Sequence, residues 1–194
     1  SSSTQFQNAL DSVLGQRLPL SEFRRALLLI ALQHHGFTGA AWNRLHQNKL
    51  IAETEFLEHL ALQQDVVRQA IRDQALVAAQ QRRELIAPHT VVRNLTQLSL
   101  PVVMPNQETE VLVLLVADSN SGRHNADIHA ARSLVRTTSL WFAQQELQTS
   151  MSHLRATSAL LELTERIDSA ETLAKAHRVL ADSVKDYLGC EFVA

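Results

Sequence analysis

Nine histidines are spread over 194 residues, and because imidazole is both a common metal ligand and a common general base, their spacing is the first question. His34 and His35 are adjacent, and neighbours on a helix point away from each other. His124 and His129 are five apart, not the four that would set two ligands on one helical face beside an acidic base. His46, His59, His89, His153 and His177 stand alone. The set predicts surface or capping histidines and no metal site. A nucleophile, base and acid can be written from Ser119 or Ser121, His124 and Asp118. There is no Gly-x-Ser-x-Gly elbow and no source of an oxyanion hole, so these residues read as a polar loop. Five glycines in the whole chain leave no phosphate-cradling loop and no dinucleotide fingerprint. The expectation is a protein with no catalytic residues, not an enzyme.

Charge narrows the partners. Lys and Arg number 18 against 20 Asp and Glu, for a formal net charge of -2. The pairs Arg24-Arg25 and Arg82-Arg83 are interrupted at once by apolar or acidic residues, so no clustered positive surface for nucleic acid is expected. The single cysteine, Cys190, rules out an internal disulfide and a cysteine zinc cluster, which fits a reducing, cytoplasmic setting. The longest apolar run, Ala26 to Leu32, is far too short to span a bilayer, so no membrane contact by this segment is expected. The chain opens Ser1-Ser2-Ser3 and closes Glu191-Phe192-Val193-Ala194, and it reads as a piece of a longer polypeptide.

The elements that must position any site follow from periodicity. Phe6, Leu10, Val13 and Leu14 predict a helix stopped at Gly15, and Phe23, Ala26, Leu27, Ile30 and Ala31 predict another from an N-cap at Ser21 to His35-Gly36. Gly36 to Leu45 reads as a strand. Lys49 to Phe56 alternates Leu50, Ala52, Thr54 and Phe56 with polar residues, and so pairs with it through Gln47-Asn48. From Gln63 to Ile86 the pattern is helical, ended by Pro88, with Thr90-Val91-Val92 as a short strand. Leu98 to Met104 and Glu110 to Val116 form a hairpin around Pro105 to Thr109. The second of these is apolar on both faces, which marks a covered central strand. Pro101 predicts a bulge in the first. After the loop Asp118 to Gly122, Asn125 or Asp127 caps a helix that no Pro or Gly interrupts from Ala126 to Leu188.

This order gives an α/β, strictly α+β, class, and it resembles the GAF fold, an antiparallel sheet flanked by helices with a long C-terminal connecting helix. The resemblance is carried by Leu98-Ser-Leu-Pro-Val-Val-Met104 and Glu110-Val-Leu-Val-Leu-Leu-Val-Ala-Asp118, followed by the helix through Leu147. It implies a helical lead over 1–20, a GAF-like domain over 21–147, a connecting helix over 148–165, and over 166–194 the opening helix and first strand of a second, truncated GAF-like domain. Leu188-Gly189-Cys190 mirrors His35-Gly36-Phe37. The resemblance also implies a regulatory or sensory module that binds a small molecule or partner. Trp42, Arg44, Arg93, Asn94 and Met104 are the candidate lining of its pocket. No cofactor is implied: the first domain lacks the cysteine that would hold a bilin, and nothing is diagnostic of a cyclic nucleotide.

Leu140, Leu147, Met151, Leu154, Ser158 and Leu161 approximate a 4-3 spacing, so a homodimer paired along this helix is expected. It would pass a signal from one module to the next in a larger signalling or transport protein. The alternative is a ligand-free dimerisation or interaction scaffold, with an interior filled by its own side chains, in a protein such as a membrane-fusion-type secretion or efflux adaptor.

Overall fold

A computed structural model describes residues 2–57, 59–104, 108–118 and 124–188. The helices are α1 (Ser2–Gly15), α2 (Leu20–His35), α3 (Asp65–Gln81), α4 (His124–Asp168) and α5 (Leu173–Leu188). The strands are β1 (Gly39–His46), β2 (Lys49–Leu57), β3 (Leu85–Pro88), β4 (Leu95–Val103) and β5 (Thr109–Ala117). The chain divides into two units, 1–143 and 144–194. No helix among the described residues is long and apolar enough to cross a membrane.

In the first unit the strands form one antiparallel sheet in the order β2-β1-β5-β4-β3. β5 is central, as its unbroken apolar run predicts: Leu112 and Leu114 pack with α1, α2 and α4, while Val111, Val113 and Leu115 pack with α3. Burial on both faces explains why its sequence does not alternate. The first core also holds Phe6, Leu10 and Val13. The opening helix thus packs into the core of this unit.

Several local expectations give way to tertiary pairing. α2 starts at Leu20 with Pro19 in the cap position and no side-chain cap, so Ser21 lies in the first turn; Gly36, at φ 69°, then stops the helix in the left-handed conformation that costs glycine least. α3 ends at Gln81, not Ile86. Arg82 turns left-handed and its N–H bonds back to Ala79, which releases Leu85–Pro88 to pair with β4. Thr90 to Val92, despite two β-branched valines, forms the turn between β3 and β4, because the outer edge of β4 is already taken by Leu85–Pro88. β4 begins at Leu95, three residues before the expected start.

Register holds two further corrections. Pro101 faces Val111 with no shift in pairing. β3 covers β4 only from Thr96 to Ser99, so by Pro101 the strand has an open side and a missing N–H is tolerated. The bulge lies in β2: Trp42 pairs with Thr54 and Asn43 with Ala52, leaving Glu53 as the extra residue. That residue reverses the faces. Leu50 packs on the α3 side and Phe56 on the α2 side, although simple alternation puts them together. The β1–β2 turn at Gln47 and Asn48 is where spacing predicts it, with φ of 47° and 60°, the two left-handed residues of a tight hairpin turn. α4 begins at His124, so Asn125 and Asp127 occupy its first turn instead of capping it; residues 119–123, within the stretch expected as a loop, lie outside the described residues.

The bulge aims Glu53 at a charged cluster inside the first unit. Arg24 of α2, itself buried, reaches the fully buried Glu110 of β5 with two nitrogens: Nε donates to Oε2 at 3.2 Å and Nη2 donates to Oε1. The indole N–H of buried Trp42 also donates to Glu110. Glu53 lies 3.7 Å from Arg24 and 2.8 Å from Arg44. Burial pushes the Glu110 carboxyl up, while the Trp42 N–H and the Arg24 charge pull the other way. Breaking a buried pair strands the remaining charge. Glu110→Ala is expected to lower stability by about 3–5 kcal/mol, and Arg24→Met with Glu110→Leu to recover most of that loss. Urea unfolding of the three proteins checks both.

Candidate functional site

The residues expected to line a pocket occupy three separate places. Trp42 is fully buried on the α2 side, its only polar atom engaged by Glu110, and Arg44 is held by Glu53 at the same cluster. Arg93 and Asn94 are exposed in the turn before β4, where Asn94 is left-handed and its carbonyl accepts the Asp118 N–H. Met104 is buried just past the far end of β4. The nine residues of β4 span roughly 27 Å at about 3.3 Å each, so Asn94 and Met104 cannot line one small-molecule pocket. Trp42 and Arg44 share a cluster; the other three do not join it.

The sheet face under α3 carries a different set. Gln97, on β4, is fully buried, and its amide donates to the Ile71 carbonyl of α3 at 2.9 Å and to Ser99 Oγ at 2.9 Å. Gln74, one turn along α3, points its amide at the carbonyls of Ala87 and Pro88 on β3, at 3.4 and 3.3 Å. Ala87 is the cross-strand partner of Gln97. Beside them His89 is buried, and its Nδ1 accepts the N–H groups of Val91 and Val92 at 3.2 and 3.0 Å. An Nδ1 that accepts leaves the proton on Nε2.

Three buried polar atoms at this corner have no partner among the described residues: Gln74 Oε1, Gln97 Oε1 and His89 Nε2. Two acceptors and one donor are thus buried with hydrogen-bonding capacity that no described protein group uses. Spacing of histidines did not find His89, which reads as one more surface histidine. The usable signal was the alternation Leu95-Thr-Gln-Leu-Ser-Leu100, in which Gln97 and Ser99 sit on a face that α3 turns out to cover.

The other reactive-looking residues have structural partners. Asp118 accepts the Thr96 hydroxyl; Ser119 and Ser121 lie outside the described residues, as does the side chain of His124. His35 stands 3.5 Å from buried Asp127 and packs against Phe6 and Phe37. Among the described residues no three His, Cys, Asp or Glu side chains gather as metal ligands.

With the geometry set out, comparison with solved structures places the fold. The nlh2 GAF domain of A. aeolicus, in an inactive state, matches at a TM-score of 0.58 and 11% identity over 75% of this chain and 99% of that one. The GAF domain of a protein assigned as a sensor histidine kinase from Pseudomonas syringae pv. tomato matches at 0.50 and 16%, over 80% and 95%. The reduced form of fRMsr of Staphylococcus aureus matches at 0.52 and 12%, over 69% and 90%. The fold is GAF-like, as the element order of the sequence predicts. No family model and no curated protein matches the sequence.

His89 makes the corner sensitive to acid. Burial pushes its pKa below the ordinary value of 6.5, so the folded state binds its proton less readily than the unfolded state. The stability that neutral His89 provides is present above pH 6.5 and is lost as pH falls below it. His89→Gln is expected to flatten the fall in urea midpoint between pH 7.5 and pH 5, measured against the unsubstituted protein.

Proposed function

We propose that this chain is a non-catalytic regulatory module that works as a homodimer, receives a small polar molecule under α3, and passes the change along α4. The observation that carries the reading is the leucine series on α4. Leu140, Leu147, Leu154 and Leu161 recur every seven residues and are exposed at 47, 61, 69 and 62%. Four exposed leucines on one helical seam are costly in water and are the d positions of a parallel two-stranded coiled coil. Met151 at 44% exposure falls at an a position, with Gln144, Ser158 and Glu165 at the others. Polar a positions weaken such a seam, which suits a partner helix that must shift between two arrangements.

α4 is also a wall of the first unit. Ala130, Ala131, Leu134 and Trp141 lie in its core, with Trp141 stacked on Phe23 of α2 at 4.7 Å. One uninterrupted helix thus takes part in the packed interior and carries the seam. The likeness to the GAF domain of a protein assigned as a sensor histidine kinase favours this use of the fold, and the unpartnered amide and imidazole atoms under α3 supply the receiving groups.

Sedimentation equilibrium is the direct test. The chain is expected to have twice its monomer mass at micromolar concentration, and Leu147→Glu with Leu154→Glu to raise the dimer dissociation constant at least ~100-fold, the cost of placing charge at two core positions. A monomer in the unsubstituted chain would end the dimer reading. Small molecules are then screened by thermal shift against the unsubstituted chain and Gln97→Leu. Binding equal in both places the ligand elsewhere, and no shift for any compound favours the ligand-free scaffold.

A further inference from the structure

The second unit repeats the helical opening of the first. α2 begins at Leu20 and α5 at Leu173, 153 positions apart. α1 ends at Gly15 and α4 at Asp168, again 153 positions apart. Both helix pairs are therefore joined by four residues, 16–19 and 169–172. At this offset Leu10, Leu20, Arg25 and Leu27 meet identical residues in Leu163, Leu173, Arg178 and Leu180, and Leu14 meets Ile167. The polar exceptions come together as well. Arg166 and Ser183 stand where the first unit has buried Val13 and Ile30, and Arg166 Nη1 approaches Ser183 Oγ at 3.4 Å.

What differs is the cover. In the first unit α2 lies over β1 and β2, and Phe23, Leu27 and Ala31 are wholly buried against the sheet residues Ala40, Trp42, Leu112 and Leu114. Their counterparts on α5 are Ala176, Leu180 and Val184. Leu180 is 43% exposed where Leu27 is buried, and Leu173 is 74% exposed. Between α5 and the end of α4 a cleft of about 600 Å³ remains open, lined by Ala159, Leu160, Leu163 and Val184 among others; Ala159 occupies the place that Phe6 fills in the first unit.

We infer that the α5 face bearing Leu173, Ala176, Leu180 and Val184 is the seat of a second β-sheet of the same GAF-like fold, carried by the polypeptide that continues this chain. The occupant follows from the correspondence: in the first unit Phe23, Leu27 and Ala31 share one core with Ala40 and Trp42 of β1 and Leu112 and Leu114 of β5, and Phe23 also stacks on Trp141 of α4. A second copy of the chain is a poorer fit. The apolar seam proposed for pairing copies lies on the opposite side of α4, since Leu161 corresponds to exposed Asn8 while Ala159 and Leu163 correspond to buried Phe6 and Leu10. The inference stands whether or not the first unit takes a ligand.

Amide hydrogen exchange tests it on two polypeptides, this chain and the parent polypeptide carried about 100 residues further, roughly what a second sheet needs. In the 194-residue chain, α5 amides are expected to be protected less than ~10-fold and α2 amides more than ~1,000-fold. In the longer polypeptide, α5 protection is expected to rise at least ~100-fold. Leu180→Asp there is expected to abolish that rise while α2 protection stays unchanged. The inference is overturned if no residues follow in the parent, if α5 protection is equal in both polypeptides, if Leu180→Asp leaves the rise intact, or if α5 is already protected in this chain and loses that protection on dilution to monomer.

Discussion

The first unit is organised around a carboxylate that has no access to water. Glu110 sits at the start of the central strand, and removing a carboxylate from solvent costs several kcal/mol unless its oxygens are filled. Arg24 from α2 and Trp42 from β1 fill them. Each donor comes from a different element, so the cluster can close only when α2 has one rotation about its axis and β1 one register against β5. A slip of one residue in β1 would turn Trp42 to the α3 face and leave Glu110 short of a donor. The hydrophobic surfaces around it make compaction favourable; the charged cluster makes one arrangement of that compact state better than its neighbours. The bulge at Glu53 belongs to the same constraint, because without the extra residue the second acidic side chain would point away from Arg24 and Arg44.

Legibility in the sequence followed the range of the interaction. The helices α1 and α2, the turn at Gln47-Asn48 and the central strand β5 were readable because their signals are local: apolar period, a stop at Gly36, and an apolar run too long for a one-sided strand. Elements chosen by a distant partner were not. Leu85–Pro88 has no strand signature of its own and extends because β4 offers an open edge, while the β-branched Thr90-Val91-Val92 becomes a turn once that edge is taken. The bulge was invisible for the same reason, since Glu53 fits an alternating pattern as well as its neighbours do. Pro101 shows the reverse error, in which a strong local signal is neutralised because the neighbouring strand has already ended.

The candidate site was the least legible part. Trp42, Arg44, Arg93, Asn94 and Met104 stand out by residue type and nearness to predicted strands, and the strand pairing sets them at the Glu110 cluster, in the turn before β4 and just past its far end. Trp42 is engaged by the buried Glu110, and Arg44 by the partly exposed Glu53. Three of the buried polar atoms without a partner among the described residues lie under α3, on Gln74 of α3, Gln97 of β4 and His89 of the turn after β3. The two faces of the sheet therefore differ in kind. The α2 face is held by charges that satisfy each other, with the Trp141 indole N–H left without a partner among the described residues, and the α3 face keeps amide and imidazole hydrogen-bonding capacity unspent.

That asymmetry bears on how the proposed regulation could act. A ligand shifts a conformational equilibrium only by the difference in its affinity for the two states, so the receiving face must be able to change while the face that carries the output stays coherent. The α3 face has the unsatisfied groups whose satisfaction would differ between states. The opposite face joins α2, through Phe23, to Trp141 of α4, and the Arg24–Glu110 pair binds α2 to the same strand, β5, whose other side faces α3. A displacement of β5 by binding under α3 would thus be felt by α2 and α4 through contacts too costly to break. On the proposed reading, α4 then uses its two sides separately: the Leu140–Leu161 seam for a partner chain and the Ala159–Leu163 side for the next module. This division also accounts for a helix whose apolar residues do not gather on one face.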